Sequence, residues 1–281
     1  MLLVAMARTT GSALPLVANA RMYSSSPAAA AAWGTLLDWV TQRAGGHWTI
    51  LDYPFPRPLD ALWERQDLGC TQMCGLPYAS RAERPVPIVA PVVRGARYGG
   101  KPIYFTDIVV RRDAPFQKLE DTFGGAVGYT VKNSQSGYVA LREHLLPYRL
   151  AAGKPLYTKV EGPLVAARGV IGALLEGRID VGPFDSYAHD LIRHLEPDVA
   201  ANLRTIATTR AAPIPLFIAT APLDATMLRA LRNGFMEALA TPALSPARAT
   251  LLLKDFAIPR EADYDALRVR AQAAEAYPDN W

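Results

Sequence analysis

Short runs of apolar residues alternate along this chain with longer stretches that have the periodicity of amphipathic helices. Such alternation is typical of strands followed by helices that pack back on a sheet. It predicts an α/β architecture with largely parallel sheets. The predicted strands cover residues 16–20, 47–53, 86–93, 104–111, 126–129, 179–182, 204–208 and 216–220.

Capping residues mark several predicted helix ends. One helix is predicted over residues 136–146, ending before Pro147 because proline cannot continue the hydrogen-bond ladder. A second is predicted over 166–176, with Gly177 as its C-terminal cap. Asp224 is predicted to cap a helix near the end of the chain, and Ser245 to begin the next. The apolar stripes of these helices are predicted to lie in the core.

Composition excludes several functional classes. Of the 281 residues, 50% are hydrophobic and 20% charged, and no window approaches the ~18 uninterrupted apolar residues of a membrane helix. The net charge of +4 is spread along the chain without a basic run, which argues against nucleic-acid binding. We therefore expect a soluble protein, most simply a monomer, that neither spans a membrane nor binds nucleic acid.

The two cysteines and the N-terminus leave questions open. Cys70 and Cys74 are expected to be small buried apolar residues, although a disulfide between them is an alternative. Zinc is not expected, because no second Cys/His pair stands at ligand spacing. Residues 1–13 are either a poor leader or a simple extension, since Arg8 interrupts their weak apolar run.

Two extended segments, at 104–112 and 204–220, bracket an α/β block. A chain that leaves one lobe and returns through two strands makes a double hinge. The predicted first lobe comprises residues 14–106 and 207–281, and the predicted second lobe comprises residues 107–206.

The sequence NSQSGY at 133–138 is the clearest candidate for a binding site. Ser134 and Ser136 are good helix caps, and Gly137 lets a ligand approach the backbone closely. The N-terminus of the following helix directs N–H groups and the positive end of its dipole at the loop. A tetrahedral oxyanion fits such a place, although the same pattern is also an ordinary way to start a helix.

Four segments together resemble a known family: CGLPYA at 74–79, YFTDIVVRRDAPFQKLEDTFGGAVGY at 104–129, NSQSGY at 133–138 and GRIDVGPFDSYAHDL at 177–191. Their sequences and order are similar to those of the phosphate-, phosphite- and phosphonate-binding proteins of ABC importers. The resemblance implies a two-lobed type II periplasmic-binding-protein fold, with a small anionic ligand held between the lobes and an ABC permease as partner. It also suggests a periplasmic location, with a cytoplasmic one left open by the weak leader.

The resemblance also implies ligand-binding residues. It places the anion at the helix start and an opposite wall at Tyr78, and it makes Asp185 a partner for a ligand ammonium. Tyr23, just past the first strand, is expected to act in the same way as Tyr78. The full predicted set is Ser134, Gln135, Ser136, Gly137, Tyr23, Tyr78, Arg168, Asp185, Ser186 and Tyr187.

One departure from the family concerns residues 166–168. Ala166 and Ala167 stand where the family usually has Ser-His, and Arg168 follows directly. A guanidinium could replace the histidine's contact with the anion. The alternative is that Arg168 is an exposed helix residue.

The predicted function is capture of a small oxyanion by hinge closure, without catalysis. No carboxylate stands beside a base or nucleophile in an interpretable pattern, and no HExxH, GxSxG, phosphate-loop or dinucleotide motif is present. No metal or cofactor is expected. Two alternatives remain: an enzyme on the same fold acting on a small phosphorylated or carboxylated compound, and a ligand-sensing module without transport.

Overall fold

A six-stranded sheet forms the centre of the first lobe. In the computed structural model, which describes residues 15–275 and 281, the predicted segment 1–13 lies outside the described residues. The strands of this sheet lie in the order β13 (Leu253–Ala257), β4 (Val86–Val93), β12 (Leu216–Ala219), β3 (Leu68–Met73), β1 (Leu16–Asn19) and β2 (Trp48–Ile50). Residues of β3 are buried along its whole length, as expected for a strand covered on both faces.

Six helices belong to this lobe: α1 (Pro27–Ala44), α2 (Leu59–Trp63), α3 (Gly75–Ser80), α8 (Ala225–Ala240), α9 (Ser245–Thr250) and α10 (Glu261–Glu275). Ser26 caps α1 by accepting a hydrogen bond from the Ala29 N–H, and Pro27 occupies the first turn, where its missing donor costs nothing. The rings of Trp33, Phe217 and Phe235 pack in series between this helix, the sheet and α8. These contacts fix the core of the lobe.

The second lobe contains a smaller, antiparallel sheet. Its strands lie in the order β10 (Leu203–Thr208), β6 (Thr106–Arg111) and β9 (Gly182–Asp185), beside a parallel pair formed by β7 (Ala126–Gly128) and β8 (Lys159–Glu161). The helices of this lobe are α4 (Ala140–Ala152), α5 (Ala167–Leu175), α6 (Ser186–Leu195) and α7 (Pro197–Ala200). The molecule is thus a two-lobed α/β protein, as predicted.

The two lobes are joined by adjacent extended segments. β6 pairs with β10 in antiparallel register, and just before this crossing β5 (Ile103–Tyr104) pairs with β11 (Ala212–Pro213). The chain therefore leaves the first lobe and returns to it side by side. The boundaries at residues 106 and 207 stay a prediction.

A further contact between the lobes is made by α10. This helix packs on α3 of the first lobe and α4 of the second. The Arg142 guanidinium donates to the Ala274 carbonyl at 2.9 Å, and Arg270 pairs with Glu143 at 2.7 Å. Since both bonds join α10 to α4, the C-terminal helix ties the lobes together beside the crossing strands.

The predicted strands are confirmed in position, but the limits of several differ, and the strand predicted over 47–53 is only Trp48–Ile50. The 104–111 strand is divided into β5 and β6, and the 179–182 strand begins three residues later, as β9. Four strands were missed: β3, β8, β11 and β13. The prediction of largely parallel sheets is wrong, because the returning strands β12, β13 and β10 pair antiparallel with their neighbours.

The helix predictions are confirmed at α5, at the Asp224 cap of α8 and at Ser245, but the end predicted before Pro147 is wrong. A π-turn at Gln135–Val139 leads into α4, which continues through Pro147 to Ala152. Buried Leu141 and Leu145 hold the helix against the lobe, and Gly153 ends it in the left-handed conformation. Packing here outweighs the bond that proline cannot make.

The cysteine expectation is confirmed, because Cys70 and Cys74 are both free and buried. Burial raises the pKa of the Cys70 thiol.

Among the described residues no group of three or more His, Cys, Asp or Glu is placed to hold a metal ion. Within the same part of the chain, no helix has the length and apolar content needed to cross a membrane.

Candidate functional site

A cavity of about 260 Å³ lies between the two lobes. This volume is below the ~300–1,000 Å³ typical of sites for drug-sized ligands, so it suits a small solute. The first lobe contributes the turn after β1, together with α2 and the start of α3. The second lobe contributes the Ser134–Gly137 turn, the segment before α5 and the end of β9.

The Ser134–Gly137 turn lies at the cavity, with Ser134 half-buried and the three residues that follow it buried. Ser134 Oγ accepts a hydrogen bond from the Gly137 N–H at 2.9 Å, which leaves the hydroxyl proton available to donate outwards. Ser134, Ser136 and Gly137 all border the cavity. An alanine Cβ at Gly137 would lie 1.8 Å from Thr130 Oγ1, so only glycine fits here.

Gln135 occupies a different position from its neighbours in the turn. Its side chain is completely buried but is not part of the cavity lining, and neither its Oε1 nor its Nε2 has a hydrogen-bond partner among the described residues. The turn therefore presents its two serines and its glycine to the cavity, while Gln135 points into the protein.

Tyr23 and Asp185 meet across the cleft. Tyr23 follows β1 in the first lobe, and its hydroxyl donates to Asp185 Oδ2 at 3.1 Å. Asp185 Oδ1 accepts the N–H groups of Tyr187 and Ala188, so this carboxylate also caps α6. Burial raises the pKa of Asp185 to about 7, against the opposing effect of these hydrogen bonds.

Ser186 and Tyr187 do not border the cavity. Ser186 Oγ accepts the Phe105 N–H at 2.9 Å on the crossing-strand side. The Tyr187 hydroxyl donates to the Leu251 carbonyl at 2.6 Å, and its ring centroid lies 4.4 Å from that of Tyr23. Both residues hold the lobes together rather than facing a ligand, because α6 turns them away from the cleft.

Tyr78 is also turned away from the cavity. It lies on α3 with its ring packed edge-on against Tyr264 of α10, and burial raises its pKa to about 12. The wall that it was expected to form is supplied instead by Cys74 and Pro77. The short helix α3 directs the Tyr78 ring towards α10, so Tyr78 does not form the cavity wall that was expected of it.

Arg168 does not line the interlobe cavity. Its guanidinium is half-buried and donates to the Ser25 carbonyl of the first lobe, with Nε at 2.8 Å. It also pairs with Glu196 at 2.5 Å. Both residues line a second, outer pocket of about 620 Å³. Arg168 is therefore an interlobe contact whose charge is already neutralised.

The residue that sequence reasoning missed is Arg21. It follows β1 and borders both the interlobe cavity and the outer pocket. Ligands of α/β sheets bind beyond the carboxyl ends of parallel strands, and β1 is paired in parallel on both sides. The position of Arg21 just past the first strand can be recognised in the sequence, although the prediction from that position named only Tyr23.

A polar cluster stands where the crossing strands leave the first lobe. Asp107 is fully buried and accepts hydrogen bonds from Arg97, Thr208 and His189, the last at 2.8 Å. Burial alone would raise the pKa of Asp107, but the His189 hydrogen bond and the Arg97 charge outweigh it and hold the pKa below its usual value. Arg97 also bonds Asp190 of α6 at 2.8 Å, which couples the lobes.

The chain forms two α/β lobes that are joined by paired strands, with a small cavity between them whose wall is largely apolar but carries serine hydroxyl groups and a carboxyl group. This arrangement defines a solute-binding protein of the type II periplasmic-binding class. The chain belongs to the family described as "ABC transporter, phosphonate, periplasmic substrate-binding protein", whose model matches residues 23–264. This family consists of transporter components and not of enzymes, so the prediction of a binding protein rather than an enzyme is confirmed.

Solved structures agree on the fold. A binding protein component of an ABC phosphonate transporter from Pseudomonas aeruginosa has a TM-score of 0.76 at 16% identity, over 95% of this chain and 90% of that chain. PhnD1 from Prochlorococcus marinus, solved with methylphosphonate, has a TM-score of 0.73 at 12% identity, over 93% and 98%. XAC2383 from Xanthomonas citri, solved with ATP, gives 0.62 at 20% identity, over 94% and 99%. No curated protein sequence matches this chain significantly.

Proposed function

We propose that this protein captures a phosphonate in the interlobe cavity and presents it to an ABC permease from the periplasm, as a monomer. The observation that carries the proposal is the buried Ser134–Gly137 turn, which brings hydroxyl groups and a helix start to a small cavity. Oxyanions bind well at such helix starts, because N–H groups and the helix dipole favour negative charge. The organic substituent would lie towards the first lobe.

Contacts between the lobes support closure around the ligand. Among the described residues, the hydrogen bonds that span the cleft include those from Tyr23 to Asp185, from Asn133 to Asp60 at 2.9 Å, and from Arg168 to the Ser25 carbonyl. These bonds exist only when the lobes are together, so a ligand that bridges the lobes would shift the population towards the closed form. The crossing strands β6 and β10 would act as the hinge, with lobe boundaries near residues 106 and 207.

The proposal is tested by titration calorimetry with methylphosphonate, together with small-angle scattering. We expect saturable binding and a smaller radius of gyration with ligand. Ser136→Ala should weaken binding roughly 5- to 150-fold, which corresponds to the ~1–3 kcal/mol cost of a lost hydrogen bond to a charged group. Ser80→Ala, at an exposed position on α3, is the matched control and should bind as the wild type does.

Two results would count against the proposal in different ways. Unchanged affinity in a folded Ser136→Ala variant would remove the turn as the anion site. Identical scattering profiles with and without saturating ligand would reject closure but leave binding in place.

Binding should also depend on pH through Asp185. Because its pKa is raised to about 7, its carboxyl is protonated in mildly acid solution and negatively charged above pH 7. A ligand that needs the neutral carboxyl should lose affinity up to about tenfold per pH unit above 7, as the competent fraction falls. Asp185→Asn keeps the helix cap and removes the titration.

The measurement is the ratio of wild-type to Asp185→Asn affinity between pH 5.5 and 8.5, in which the ligand's own titration cancels. The same raised pKa predicts that the wild-type protein loses stability relative to the variant as pH rises from ~3.9 through 7. A ratio that stays constant over this range would show that the carboxyl does not face the anion.

A further inference from the structure

Arg21 is a largely buried arginine, and two of its three guanidinium nitrogens have no hydrogen-bond partner in the described part of the chain. The residue is 8% exposed, and neither Nε nor Nη2 has a hydrogen bond. Burial lowers the pKa of Arg21, and only the nearby Tyr53 hydroxyl opposes this effect. Burying an unpaired charge is costly, so such an arginine is unusual unless something pairs with it.

The position of Arg21 is fixed by its surroundings. Its N–H donates to Asn19 Oδ1 at 2.7 Å, and Asn19 Nδ2 in turn donates to the Leu51 carbonyl at 2.8 Å. The guanidinium carbon lies 5.8 Å from the centroid of the Phe55 ring. The residue is therefore held at the carboxyl end of β1 by its backbone, while Nε and Nη2 of its guanidinium have no acceptor among the described residues.

Arg21 stands between the interlobe cavity and the outer pocket, since the residue lines both. Ser25, which lines the same outer pocket, has a buried Oγ that finds no hydrogen-bond partner within the described part of the chain. Arg168 lines this pocket too, but Glu196 already neutralises it. Arg21 and Ser25 thus offer donors on the side of the cleft opposite the Ser134–Gly137 turn.

We infer that the ligand carries two oxyanionic groups, a phosphonate held by the Ser134–Gly137 turn and a carboxylate held by Arg21 and Ser25. The inference rests on the proposed function and narrows its substrate class to phosphonocarboxylates. A planar guanidinium bonds a carboxylate through two parallel N–H groups, and pairing removes the cost of its isolated charge. A ligand ammonium would instead meet a like charge at this position.

The test compares three ligands by titration calorimetry: methylphosphonate, phosphonoacetate and 2-aminoethylphosphonate. We expect the wild-type protein to bind phosphonoacetate at least tenfold more tightly than the other two. Arg21→Met should reduce this preference to less than about twofold. It should also raise the melting temperature of the ligand-free protein, because an unpaired buried charge is removed.

Arg57→Met is the matched control, since Arg57 is exposed and lies over the Tyr53 ring on the same face. It should keep the wild-type ranking. Equal wild-type affinities for methylphosphonate and phosphonoacetate would overturn the inference while leaving the proposed function intact. So would an Arg21→Met variant that weakens all three ligands equally, because the arginine would then hold the phosphonate itself.

Failure of all three ligands to bind would instead overturn the proposed function, and the inference with it. If Arg21→Met does not fold, the wild-type ranking decides alone, because it requires no variant.

Discussion

Gly137→Ala is expected to weaken methylphosphonate binding at least tenfold and to lower the free energy of unfolding by about 1–3 kcal/mol. The added Cβ would lie 1.8 Å from Thr130 Oγ1 and 2.8 Å from Thr130 Cβ, which no real contact allows. The turn or Thr130 must therefore shift. A shift of the turn displaces Ser134, because Ser134 Oγ bonds the Gly137 N–H, and a shift of Thr130 disturbs the turn through the bond from the Thr130 N–H to the Gly137 carbonyl.

Gly34→Ala is the matched control for this substitution. Gly34 lies inside α1, and nothing stands within 4 Å of the Cβ that alanine would add. We expect unchanged affinity and up to about 1 kcal/mol of added stability, since alanine favours helix. Calorimetry and urea unfolding of the two variants provide the measurement. Wild-type affinity in Gly137→Ala would show that the anion does not depend on this turn.

The parts of the site that the sequence predicted are those set by local chemistry. Ser134 caps its own turn, and Asp185 caps α6, because each bonds N–H groups two or three residues away. Such caps can be read from neighbouring residue types. The contact between the lobes could not be predicted in this way, since Tyr23 and Asp185 are separated by 162 residues.

Predictions that depended on the direction of a side chain were corrected by packing. Tyr78 lies on the helix where it was expected, but α10 covers its ring, and α10 begins far along the chain. Arg168 follows Ala167 at the start of α5, yet its charge is taken by Glu196. Resemblance locates such residues along the chain, whereas tertiary contacts decide which face they present.

The fold shows the same division between local and long-range effects. β4, an apolar run of eight residues, was predicted with its observed limits. β3 was missed because Gly69, Thr71 and Gln72 interrupt its apolar character, although it pairs with strands on both sides. A strand that is buried because of the strands on both sides of it need not have a strong apolar pattern in its own sequence.

Asp107→Ala is expected to lower the free energy of unfolding at pH 7 by about 3 kcal/mol, at the lower end of the range for a broken buried ion pair. The substitution leaves His189 and Thr208 without their acceptor. Arg97 keeps its bond to Asp190, which limits the loss. Because the pKa of Asp107 lies below its usual value, this stabilisation is present above pH ~3.9 and is lost as pH falls further.

The matched control is Asp113→Ala, which removes an exposed carboxylate paired with Arg111 at 2.8 Å. Solvent-exposed ion pairs contribute about 0–1 kcal/mol, so this variant should unfold at nearly the wild-type urea concentration. Urea unfolding of both variants at pH 7 and pH 3 measures the difference and its pH dependence. Asp107 also joins a first-lobe arginine to the second-lobe strand β6. Equal stabilities for the two variants would therefore show that the buried cluster does not hold the crossing strands together.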